Sequence, residues 1–106
     1  MKPLDIRDLV HFSDDEPPRR TLGETDRLWS QVVCLQGAQG VGPIREDDSD
    51  GILVVLAGQV ATQVGKARAR MSQWETMLIP AGLDLTVRNA SAEPAVLLLV
   101  VAPPPS

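Results

Sequence analysis

The side chains with the most capacity for chemistry stand in one run, Glu46-Asp47-Asp48-Ser49-Asp50-Gly51. Oxygen-rich loops closed by a glycine can wrap a hard cation such as Ca2+. This run lacks the alternating ligand spacing of such a loop, and no glutamate follows to close the shell in bidentate fashion. It reads as a solvated connection between strands. Cys34 is the single cysteine, so no internal disulfide forms. A reactive thiol needs an electropositive, accessible setting; the run Val32-Val33-Cys34-Leu35 offers neither, and Cys34 reads as a small buried hydrophobe. His11, the single histidine, lies beside Phe12 with no nucleophile or second base near it in sequence, and reads as structural or solvated.

Composition narrows the function classes. The chain has 106 residues, 43% of them apolar, with two Trp, one Phe and no Tyr. That length suits one domain, with a core resting on aliphatic side chains. A formal net charge of −4 and the near-absence of aromatic residues leave no basic stripe and no stacking platform, so no nucleic-acid partner is expected. The segment Met1 to Val10 has no apolar stretch of the signal-peptide kind. The longest apolar run, Ala95 to Ala102, is too short for a helix spanning a bilayer. No membrane association and a cytoplasmic location are the resulting expectations.

The elements that must position any site are strands. Leu28–Leu35, Gly51–Leu56, Gln59–Val64, Ala67–Met71, Thr76–Ile79, Asp84–Asn89 and Ala95–Val101 each carry β-branched, alternating or continuous apolar patterns. Gly37, Gly40, Gly42 and Pro43 read as a break, Gly65-Lys66 as a hairpin turn, and Pro103-Pro104-Pro105 as the end of all pairing. The continuous apolar strand Ala95–Val101 implies burial on both faces. Residues 1–27, with Pro17-Pro18 inside a charged stretch, read as an N-terminal arm packing on the barrel edge or on a partner chain. Residues 28–102 form the barrel and 103–106 a proline-rich tail. Short strands with Gly/Pro punctuation and no helical period argue an all-β sandwich or closed barrel.

Trp74-Glu75-Thr76-Met77-Leu78-Ile79-Pro80-Ala81-Gly82-Leu83-Asp84-Leu85-Thr86-Val87-Arg88-Asn89 resembles the second cupin motif, G-x5-P-x-G-x2-H-x3-N, through Pro80, Gly82 and Asn89. Gly51 to Gly58 resembles the end of the first, G-x5-H-x-H-x3,4-E-x6-G. The resemblance covers about residues 37–102 and implies a cupin-type double-stranded β-helix, a jelly-roll barrel with an N-terminal arm. The matched residues are architectural. The ligand positions depart from the pattern: the glutamate falls on Gly51, the motif-two histidine on Leu85, and the H-x-H pair on Ile44 and Glu46 with the longer spacer or on Arg45 and Asp47 with the shorter. The first glycine of motif two is Trp74, which is therefore expected near the surface, and Trp29 is read as a packing residue. Imidazole and carboxylate ligands must converge to hold a first-row metal, so no metal and no cofactor are expected.

The resemblance thus implies a metal-free cupin, a non-catalytic small-molecule-binding or interaction module forming a homodimer. The strand Ala95–Val101 and the N-terminal arm are candidates for strand exchange or edge pairing between chains. Ile44, Glu46, Leu53, Leu85, Arg45 and Arg88 are the candidate ligand-binding residues for a small organic ligand. The barrel interior is either filled by these aliphatic side chains or open as an apolar pocket at one mouth. In the alternative reading the protein is a metal-independent isomerase or lyase acting on a small polar metabolite. Glu46, desolvated inside the barrel, would then be the general base, and Arg45 or Arg88 the anion anchor.

Overall fold

The computed structural model describes residues 2–105; Met1 and Ser106 lie outside them. Among the described residues, nine strands form two antiparallel sheets. They are β1 (Arg19–Glu24), β2 (Trp29–Leu35), β3 (Gly40–Ile44), β4 (Asp50–Ala57), β5 (Gln59–Val64), β6 (Ala67–Ser72), β7 (Thr76–Ile79), β8 (Leu85–Arg88) and β9 (Ala95–Ala102). One sheet has the order β1-β2-β9-β4-β7 and the other β3-β8-β5-β6. Their inner faces close on one core, the double-stranded β-helix that the motifs imply. Among the described residues no helix is long and apolar enough to cross a membrane.

The apolar strand β9 occupies the centre of the larger sheet, hydrogen-bonded to β2 on one side and β4 on the other. Its inward set Ala95, Leu97, Leu99 and Val101 is buried against Val33, Leu53, Val55 and Leu85. Flanked on both sides, β9 has no free edge to offer another chain, contrary to the expectation of edge pairing through it. The free edges of this sheet are β1 and β7.

Two strands carry little sequence signal. β3 lies where glycines and a proline suggested a break; it pairs with β8 through a register shift between Val41 and Ile44. Proline, lacking an N–H, is tolerated at such an irregularity. β1 lies inside the segment read as an arm. As an edge strand only its Leu22 is half-buried, so no apolar alternation marks it. Residues ahead of it pack back on the barrel. A 3-10 turn, Ile6–Leu9, is capped by Asp5, whose carboxylate accepts from the Arg7 amide at 3.0 Å. Ile6, Leu9, Val10 and Phe12 then cover Val32, Cys34 and Val96 on the outer face of the larger sheet. Beneath them the Cys34 thiol is sealed, and burial pushes its pKa up, as suits an unreactive packing residue.

Asn89 is fully buried and its carboxamide is satisfied on both ends. Nδ2 donates to the carbonyls of Leu35 (3.1 Å) and Glu93 (2.7 Å), and Oδ1 accepts from the amide and the hydroxyl of Ser91, both at 3.0 Å. One side chain therefore ties the end of β8 to the end of β2 and shapes the turn into β9. Gly58 presses from the other side: with φ +81°, it leaves so little room that a Cβ would sit 2.6 Å from the Pro94 carbonyl.

Trp74 stands in the β6–β7 turn at φ +75° with 74% of its surface exposed. Left-handed backbone favours glycine, which explains why the family motif carries glycine here and shows that Trp74 holds a strained position. Trp74→Gly should raise stability by about 1 kcal/mol, because it relieves that conformation and uncovers little. Asn89→Ala should lower it by about 2–3 kcal/mol by stranding buried carbonyls and amides. Urea denaturation of the two variants checks both signs.

Candidate functional site

β3, β4, β7, β8 and β9 bring Ile44, Glu46, Gly51, Leu85, Leu99 and Val101 around one space at the barrel mouth. Ile44 and Leu85 are register partners across β3 and β8. With Ile44 and Glu46 both at the mouth, the longer motif spacer describes this chain. All four positions where the family carries ligands thus face the same space, but Glu46 is the one donor among them. Ile44 and Leu85 offer hydrocarbon. A Cβ built on Gly51 would point toward Ile79 and the Leu99 side chain. This donor set does not fit a divalent transition ion, which needs several converging N or O ligands. Among the described residues no group of three or more His, Cys, Asp or Glu is placed to hold a metal ion.

The space itself is about 20 Å3, room for roughly one water molecule. Of the two sequence alternatives, the barrel interior is the filled one. Leu53 and Leu85, candidate lining residues of a pocket, are 1% and 2% exposed and belong to the packed core. Leu53 does not reach the mouth. Glu46 does reach it, half-buried at the rim instead of desolvated within the barrel.

The two arginines considered as partners for Glu46 are directed elsewhere. Arg45 is exposed; its Nε donates to Asp47 at 2.8 Å and its guanidinium lies 3.9 Å from Asp84. Arg88 belongs to the alternation of β8, where Leu85 and Val87 point inward and Thr86 and Arg88 outward. It therefore lies on the outer surface of the smaller sheet and cannot anchor an anion inside the barrel. The acidic run has structural duties: Asp50 Oδ1 accepts from the Ala81 amide at 2.9 Å, the Glu46 carbonyl accepts from the Gly82 amide at 2.9 Å, and Ser49 Oγ donates to the Pro103 carbonyl at 2.6 Å. It stitches the Pro80–Gly82 turn and the chain after β9 across the mouth. Ser49, Asp50, Ile79, Pro80 and Leu83 complete the lining. Sequence reading missed them because their convergence depends on which strands adjoin.

Comparison with known proteins agrees with this architecture. A profile of the cupin domain matches residues 31–101. No curated protein matches the sequence. Among solved structures the chain is similar to TT1209 from Thermus thermophilus, with 28% identity and a TM-score of 0.94 over 99% of this chain and 100% of that one. It is similar in fold to KdgF from Halomonas sp., with 15% identity and a TM-score of 0.81 over 98% and 96%. It also shares its fold with the cupin domain of Cnp3 from Schizosaccharomyces pombe, with 16% identity and a TM-score of 0.76 over 81% and 64%. With the profile spanning most of the chain and both sheets arranged as the motifs require, the protein belongs to the cupin domain family.

Proposed function

We propose that this cupin is a metal-free, non-catalytic interaction module that pairs with a second copy of itself through the outer face of its larger sheet. The observation that carries the reading is the contrast between a mouth with room for one water and an uncovered aliphatic surface outside the barrel. On that surface Ile52 pairs with Leu78 on one side and Val100 on the other, and Val54 pairs with Leu98 in the adjoining row. Ile52 is 46% and Leu78 64% exposed. The chain's own arm covers the neighbouring part of the same face at Val32, Cys34 and Val96 and stops short of this one.

A flat aliphatic patch running across three strands suits a two-fold contact, in which each copy presents the same surface to the other. Covering a Leu or Ile side chain fully contributes roughly 1.5–3 kcal/mol, so Ile52 and Leu78 from both copies form the centre of such an interface. The enzymatic reading has weaker support: Glu46 stands beside a space too small for a metabolite, without the arginine partners it would need.

Sedimentation velocity at micromolar concentrations tests the proposal. The wild type should run as a dimer and Ile52→Glu/Leu78→Glu as a folded monomer, with unchanged β-sheet circular dichroism. A monomeric wild type, or a double variant that stays dimeric, would overturn it.

A further inference from the structure

The outer face of the smaller sheet carries a second feature, independent of the mouth and of the aliphatic patch. The strand registers place Gly40, Arg88, Ala61 and Arg70 in one row across β3, β8, β5 and β6. The next row on the same face holds Thr86, Gln63 and Arg68. Three arginines therefore flank Ala61 and Gln63 on this face. Arg70 and Arg88 stand two strand spacings apart, about 10 Å between their backbones, with only the Ala61 methyl between them. Ala61, Gln63, Arg68, Arg70, Thr86 and Arg88 line a wide, open groove of about 510 Å3.

The charge is uncompensated. The chain has 14 acidic residues against 10 basic ones, yet no Asp or Glu stands opposite any of the three arginines, whose register partners are Gln63, Ala61 and Gly40. None of the three forms an ion pair among the described residues. Protection of a free sheet edge accounts for charge on β6, since exposed edges are commonly guarded by cationic side chains. It does not account for Arg88, because β8 lies inside the sheet between β3 and β5.

We propose that this groove binds a small molecule bearing a diphosphate group. Guanidinium is planar and pairs with phosphate oxygens through two parallel N–H donors. Arginines on both sides of Ala61 suit an anion long enough to engage β6 and β8 together, with the Thr86 hydroxyl at the groove wall as a further donor. A nucleic acid is disfavoured: the groove has no aromatic side chain to stack on, and the rest of the protein is acidic.

Inorganic pyrophosphate is the probe, added to the full chain at physiological salt and followed by amide and arginine Nε–H NMR. Saturable one-to-one shifts are expected, confined to Ala61, Gln63, Arg68, Arg70, Thr86 and Arg88. Arg70→Gln and Arg88→Gln, exposed positions whose spectra report folding directly, should each weaken binding at least tenfold, while Arg27→Gln leaves it unchanged. Shifts that fail to saturate, that appear equally at Arg19, Arg20 and Arg27, or that persist at full affinity in Arg88→Gln would overturn the proposal.

Discussion

The buried carboxamide of Asn89 is the interaction on which the rest of the barrel depends. It sits where β8 leaves the smaller sheet and the chain turns to enter the larger one as β9. A polar group sealed from water is stabilising only when every donor and acceptor has a partner, and here two carbonyls, an amide and a hydroxyl supply them. The backbone on either side is engaged too: the Asn89 amide donates to the Gln39 carbonyl and its carbonyl accepts from Ala38, both at 2.8 Å. β9 is delivered in register between β2 and β4 because this corner is fixed. The inward set from Ala95 to Val101 can then fill the barrel.

Filling the barrel has a chemical consequence. A cupin mouth is a place where side chains from both sheets converge, and the convergence survives here at Ile44, Glu46, Gly51 and Leu85. Because it brings hydrocarbon together, the same geometry that elsewhere would concentrate ligands contributes to the core instead. The acidic loop bonds the Pro80–Gly82 turn and closes the end of the barrel. Outside the barrel, one sheet presents an aliphatic face and the other a cationic one.

Much of this was legible in the sequence. Strands β4 to β9 follow from alternation and from Gly/Pro punctuation, and Pro80, Gly82 and Asn89 mark the corners because backbone geometry restricts those positions to few residue types. β1 and β3 were obscure for the complementary reason: edge strands rich in charge, glycine or proline bury too little to leave an apolar pattern. The site was half legible. Spacing identified the positions that converge, while the choice between Ile44/Glu46 and Arg45/Asp47 depended on the register shift in β3. Arg88 illustrates parity: alternation alone directs it outward with Thr86, but its place beside Ala61 and Arg70 depends on strand adjacency, which no local pattern records. The strain at Trp74 was visible only as the loss of a glycine from the motif, and the backbone gives that loss its meaning.

The barrel interior is a packed aliphatic core that occupies the place of a ligand chamber. Native mass spectrometry of untagged protein, purified without chelators, reads out whether that interior holds anything. A packed interior holds nothing at the mouth, so any added mass per chain should be unchanged by substituting Glu46 or enlarging Leu85. A stoichiometric added mass lost on substituting Glu46 or enlarging Leu85, whether a metal ion or an organic molecule, would contradict it.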